Sequence, residues 1–310
     1  MDTVRLAYRD HDRTPPLFCI KAMAEKHYDL NVDIIHVQEN AAYESAIFDG
    51  SADMICEHTE YLYEEAAQGR RQATMFLCPV RDTDGQLVVG PATHSIEDLR
   101  GKAIAVRNRG RPHAIRMQLR HLGLEGSVEL VTVADEDVGR WRQWQTILDG
   151  TCAGTFVPCL NIAPALEAGL RVLPIPPLQL IGHFPHACAS DYATAYEDLM
   201  LRYTKSAIHA FALMKLRRTE ALEIVAGEPA RLMGLANNRT ELERQFDCIA
   251  ESVHTRPYPT PAGIANTYEI ACAEWPGSVG INPLTLWDLH WVKQLDDEGF
   301  IEKLVAQLRA

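Results

Sequence analysis

From the N-terminus onward, apolar and polar positions alternate in short blocks whose spacing switches between the strand and the helix period. Val4 to Tyr8 reads as a strand that stops at Arg9-Asp10-His11-Asp12-Arg13-Thr14-Pro15-Pro16, and Leu17 to His27 as a helix with the proline pair at its entry. Val32 to Val37 alternates as a second strand, and Tyr43 to Phe48 is a short helix ending at Gly50. Asp53-Met-Ile-Cys-Glu-His-Thr is a short strand running into polar residues, followed by a helix from Glu60 to Gln68 that Gly69 closes. A β-α-β-α-β rhythm of this kind implies a parallel sheet. Ligands in such sheets sit beyond the carboxyl ends of the strands, so the charged loop at 9 to 14 and the Glu57-His58-Thr59 turn are expected to be neighbours.

The pattern then repeats. Met75 to Val80 and Gln86 to Val89 are strands, Ser95 to Lys102 a short helix and turn, and Ala103 to Val106 a strand before a second charged loop, Arg107 to His113. Val128 to Val131, a helix Val138 to Leu148, the strand Gly154 to Val157 and a short helix Ile162 to Ala168 continue the alternation. The last third is mostly helical, with a long amphipathic run from Tyr192 to Val225 and further segments broken by proline and glycine. Trp287, Asp288, His290 and Trp291 are expected to anchor a C-terminal helix on the first lobe. The expectation is an α/β protein of two lobes, residues 1–90 plus 185–310 and residues 91–184, with a ligand cleft between them and a helical C-terminal region.

Composition narrows the partners. Thirty basic against 42 acidic residues give a net charge of −12, which argues against nucleic acid. No stretch approaches the ~18 apolar residues of a membrane span. The start, Met-Asp-Thr-Val-Arg, enters a strand without the features of a secretory signal, and the eight cysteines are scattered singly, most of them inside apolar runs, which fits reduced thiols. Both point to a cytoplasmic protein, or to a periplasmic one from which a signal has been removed.

Ile96-Glu-Asp-Leu-Arg-Gly-Lys-Ala-Ile-Ala-Val, Asp49-Gly50-Ser51-Ala52-Asp53 and Ala66-Ala67-Gln68-Gly69 resemble phrases of the type II periplasmic-binding-protein fold, and more narrowly of its NMT1/THI5-like group. That group holds importer-associated solute-binding proteins and enzymes on one scaffold. The opening Leu6 to Leu17 is similar to the start of the 4,5-dihydroxyphthalate decarboxylase family, where an Asp-x-Asp-Arg-Thr-x-Pro-Leu phrase ends the first strand, and Gly182-His-Phe-Pro-His looks like that family's Gly-x-Phe-Pro phrase. Sulfinate desulfinases and thiamin-pyrimidine synthases share the scaffold. The cysteine-rich run of the latter is replaced here by Gly182-His-Phe-Pro-His-Ala-Cys188.

Five clusters carry candidate chemistry. Asp10, Asp12 and Arg13, with Thr14, can supply a proton donor or base beside an anion clamp, or else form a structural ion pair that caps the next helix. Glu57 and His58 offer an acid/base pair, and Thr59 a ligand contact or a helix cap; a capping turn with a solvent-facing histidine reads equally well. Arg107, Arg109, Arg111 and His113 lie on a loop that opens a helix, where free N–H groups favour an anion, against a solvated basic patch. His183, His186 and Cys188 form an H-x-x-H-x-C cluster in which one histidine lining a ligand reads better than a metal, because 183 and 186 face opposite ways on a strand and no fourth ligand is near. Cys159, just past a strand end, is a further ligand contact or nucleophile candidate, whereas Cys19 belongs to the core.

The expected function is a lyase that decarboxylates a small, hydroxylated aromatic carboxylate. The arginines of the second lobe and Arg13 would hold the anion, and His58, Asp10 or Asp12 would protonate the carbon that loses carbon dioxide, as the decarboxylase resemblance implies. The alternative is the solute-binding component of an ABC importer, which would deliver a small organic anion to a permease without catalysis. No organic cofactor motif occurs, and a divalent metal is permitted but not indicated.

Overall fold

The structure is a computed structural model that describes residues 1–83, 85–107, 112–181 and 184–310. The chain divides into two compact units, one of residues 1–82 and 179–310 and one of residues 83–178, against the expected boundaries after 90 and 184. In chain order the strands among the described residues are β1 (Asp2–Tyr8), β2 (Leu30–His36), β3 (Met54–Cys56), β4 (Ala73–Leu77), β5 (Gly85–Val89), β6 (Ala103–Arg107), β7 (Glu129–Val133), β8 (Gly154–Pro158), β9 (Arg171–Leu173) and β10 (His186–Ala189).

The first unit holds a sheet in the order β2-β1-β3-β10-β4. β1 pairs parallel with both β2 and β3, as the alternation implies, while β10 enters antiparallel between β3 and β4. Leu6, Ala7 and Tyr8 are all buried, so the C-terminal half of β1 is covered on both faces, the condition for a parallel strand. Three helices follow the first three strands: α1 (Thr14–His27), α2 (Asn40–Asp49) and α3 (Tyr61–Ala67). α1 starts at Thr14 rather than Leu17, because Pro15 and Pro16 sit in its first turn, where a missing N–H costs nothing. α2 stops where Gly50 takes φ 77°, a left-handed conformation that suits glycine.

The expected run from Tyr192 to Val225 is three helices, Ser190–Ala195, Glu197–Leu216 and Arg218–Val225. The middle one is buried over most of its circumference, with Tyr203, Ala207, Ile208 and Phe211 at its centre, and it packs along α1. Near the C-terminus Trp287 bridges to Met75 of β4, and Trp291 stands edge-on to Phe76 with ring centroids 6.0 Å apart, so both tryptophans hold that segment to this sheet.

The second unit holds a sheet in the order β7-β6-β8-β5-β9, with β6 parallel to β7 and β8, and β5 antiparallel to β8 and β9. Strand periodicity divides its core: Leu87 and Val89 of β5 join Leu99, Ile104 and Phe156 on one face, while Val88 joins Trp144, Val157 and Ile162 on the other. The single helix expected over 138–148 is two four-residue turns, Asp135–Val138 and Gln145–Leu148. Gly139 at φ 90° and Trp141 at φ 60° take the chain out of the helical region between them. No helix among the described residues is long and apolar enough to cross a membrane.

Candidate functional site

β1 and β3 are parallel neighbours, so their carboxyl ends lie side by side and bring residues 9–14 against residues 57–59. The loop after β1 tightens into a 3-10 turn, His11–Arg13, in which the Arg13 N–H donates to the Asp10 carbonyl at 2.9 Å and the Thr14 hydroxyl to the His11 carbonyl at 2.6 Å. The Tyr8 hydroxyl meets His11 Nδ1 at 3.0 Å, and His36 at the end of β2 stacks on His11 with centroids 4.1 Å apart. His36 Nε2–H also donates to the Arg9 carbonyl at 2.8 Å, so the loop backbone is fixed from both sides. Burial, then the neighbouring His36, pushes the pKa of His11 below its ordinary value.

The turn after β3 is strained: Glu57 has φ 83° and His58 φ 43°, two consecutive non-glycine residues in left-handed space, at about 1–2 kcal/mol each. Tyr43 of α2, fully buried, holds the turn by directing its hydroxyl at the carbonyls of Cys56 and Glu57, 2.5 and 2.7 Å away. Glu57 N–H donates to the Pro185 carbonyl at 3.2 Å, just ahead of β10.

The side chains of this turn and of the first loop converge. One oxygen each from Asp10 and Glu57 and one ring nitrogen of His58 all lie within 4.8 Å of one another. His58 Nε2 is 3.9 Å from Asp10 Oδ2, and Glu57 Oε2 accepts the Asp10 N–H at 3.3 Å. Glu57 is 1 % exposed and its other oxygen, Oε1, is buried with no hydrogen-bond partner. Burial above all, then the Asp10 carboxylate, raises the pKa of Glu57 well above the ordinary carboxyl value; Arg13 opposes the shift. Arg13 Nε lies 3.9 Å from Asp12 Oδ1. Thr59 is 1 % exposed with its hydroxyl oxygen unpartnered, and α3 takes no side-chain cap from it.

Arg9, part of the charged loop read from the sequence, and Tyr43 complete this end. Arg9 keeps a buried Nε without a hydrogen-bond partner, and its guanidinium lies 5.9 Å from the centroid of the Tyr43 ring. Tyr43 carries no local signal, since it sits on an ordinary apolar helix position. Arg9 was visible as the first residue past β1.

In the second unit Arg107 ends β6 and is committed within its own fold. Its Nε donates to Asp135 Oδ1 at 2.8 Å, its Nη2 pairs with Asp135 Oδ2, and its Cζ lies 3.8 Å from the centroid of the Trp141 ring. His113 is half-buried in the first turn of α4 (Pro112–His121). Cys159 opens a 3-10 turn directly after β8 and is half-buried, whereas Cys19 is wholly buried, its thiol pKa pushed up to about 12 by burial. Arg109, Arg111 and His183 lie outside the described residues.

His186 is a core residue. It is 0 % exposed in β10, its Nδ1 shares a 2.8 Å hydrogen bond with the Tyr203 hydroxyl, and burial lowers its pKa to about 3. Its other ring nitrogen, Nε2, is buried with no hydrogen-bond partner. Among the described cysteines, 19, 56, 78, 152, 188 and 272 are free thiols.

No family model matches the chain, and no curated protein matches its sequence. Solved structures do match. The periplasmic aliphatic sulphonate binding protein SsuA from Escherichia coli superposes with a TM-score of 0.66 at 15% identity, over 92% of this chain and 90% of that one. The alkanesulfonate-binding SsuA of Xanthomonas axonopodis pv. citri, bound to MOPS, gives 0.59 at 16% identity over 93% and 98%. The chain has the periplasmic-binding-protein fold. A DszB variant in complex with biphenyl-2-sulfinic acid shares this fold too, at 0.61 and 12% identity over 96% and 99%.

These likenesses correct the leading expectation. Three matching structures of the SsuA type are described as sulfonate-binding proteins, and a Staphylococcus aureus match as the ligand binding component of an ABC-type import system. The decarboxylase and lyase reading is therefore overturned, and the cytoplasmic label attached to it conflicts with neighbours described as periplasmic.

Proposed function

We propose that this chain is a solute-binding protein that captures a small organic anion for the permease of an ABC-type importer and does not transform it. One observation carries the reading: the likeness to the E. coli sulphonate binding protein extends over 92% of this chain and 90% of that one, so the scaffold on which that protein binds its ligand is present from end to end. The carboxyl ends of β1 and β3 support it. Arg9 keeps an unpartnered buried Nε, and Thr59 an unpartnered hydroxyl, both suited to donate to an acidic oxygen. Arg13 adds positive charge on the same loop.

Calorimetric titration of the purified chain with alkanesulfonates, arylsulfonates and hydroxylated aromatic carboxylates, with carbon dioxide release followed in parallel, tests the proposal. Saturable binding of at least one compound without turnover is expected, weakened about tenfold or more in Arg13→Gln, or about 1.4 kcal/mol. Release of carbon dioxide, or no binding across the panel, overturns it.

A further inference from the structure

We propose that Asp10, Glu57 and His58 form a binding site for one divalent transition-metal cation of the zinc class. The proposal stands on the geometry of the first unit alone and is independent of the ligand reading above. Three donor atoms of the right kind, two carboxylate oxygens and one imidazole nitrogen, lie mutually within 4.8 Å, the one such group among the described residues. Two donors on a tetrahedral zinc ion, each about 2.1 Å from the metal, are about 3.4 Å apart. The 3.9 Å between His58 Nε2 and Asp10 Oδ2 is too long for a hydrogen bond and within about half an ångström of that value.

Glu57 supplies a second, independent observation. It is 1 % exposed, and its Oε1 is buried with no hydrogen-bond partner. A buried carboxyl oxygen left without a partner is costly, and a cation bound by this carboxyl group offsets that cost. The carboxylate is also already oriented as metal ligands are. Its other oxygen accepts the Asp10 N–H at 3.3 Å, and the backbone on either side of it is pinned by the Tyr43 hydroxyl and the Pro185 carbonyl. Mixed carboxylate and imidazole donors suit zinc and its first-row neighbours better than magnesium, which keeps to oxygen. Three protein donors leave at least one coordination position open for a small ligand.

The test uses the full chain, stripped with a chelator and dialysed, and titrated with Zn2+ alone by calorimetry. Co2+ serves as a spectroscopic stand-in whose visible bands report coordination by these donors. One equivalent of Zn2+ is expected, bound at least tenfold more weakly by each of Glu57→Gln, His58→Gln and Asp10→Asn. Asp10 is partly exposed, so its variant keeps the test valid if the buried position does not tolerate change. Asp288→Asn, which alters the exposed pair of Asp288 with His290, should bind as the wild type does. Absence of stoichiometric uptake, wild-type affinity in any folded variant of the three, or loss of uptake in Asp288→Asn would overturn the assignment.

Discussion

His186→Gln separates a core histidine from a ligand-lining one by its pH dependence. His186 has no exposed surface, one ring nitrogen on the Tyr203 hydroxyl, and the rings of Phe76, Phe184 and Tyr203 around it at centroid distances of 6.2, 6.3 and 5.7 Å. Burial lowers its pKa from 6.5 to about 3. A base whose folded pKa lies below its unfolded one keeps its full contribution above pH 6.5 and loses it as the pH falls toward the folded value. Inside that window the loss approaches about 1.4 kcal/mol per pH unit. Glutamine does not titrate and can still bond to Tyr203, but it gives up ring contacts, worth about 1–3 kcal/mol at any pH. The variant should therefore be the less stable protein at pH 7, and the difference should shrink by roughly 1.4 kcal/mol for each unit of acidification below about pH 6. Urea midpoints of both proteins, measured side by side from neutral to acid pH, read the difference directly, with every other titrating group common to the two. Parallel curves would refute the reasoning, because they would mean that the folded histidine protonates as freely as the unfolded one.

Two further outcomes follow from the sites. Tyr43→Phe removes the hydroxyl that meets the Cys56 and Glu57 carbonyls and should cost about 1–3 kcal/mol in denaturant unfolding; a change within experimental error would show that the turn does not depend on it. Arg107→Lys keeps the charge but loses the planar fork on Asp135 and the stack on Trp141. It should cost about 1–3 kcal/mol and shift tryptophan emission, and unchanged emission would refute the contact.

Much of the first sheet was legible because strand and helix periods leave separate marks. The runs at 4–8, 32–37 and 53–56 became three parallel strands, and parallel order alone placed the loop after Tyr8 beside the turn after Cys56. β10 was not legible as an inserted antiparallel strand. Its four residues, His186–Ala189, carry no period of their own, and their place between β3 and β4 is decided by pairing with chain more than a hundred residues away. The helix expected over 138–148 failed on backbone conformation: a tryptophan with positive φ has no sequence mark, and the Arg107 guanidinium against its ring lies 34 positions upstream.

The candidate site shows the same division between what is local and what is not. Residue types and strand-end placement named Asp10, Glu57 and His58 together, but the difference in burial within the group depends on Tyr43, Pro185 and β10, which close over Glu57 from other segments. That difference bears directly on function. Beside Arg9 and Arg13 the Asp10 carboxylate repels an acidic ligand oxygen that the arginines attract, whereas burial holds Glu57 toward its neutral form. A divalent cation on Asp10, Glu57 and His58 reverses the sign at that spot and offers an open position to the same oxygen. The two proposals therefore make a joint demand: if both hold, adding Zn2+ to the stripped chain should tighten anion binding, and the anion should tighten Zn2+ binding by the same factor.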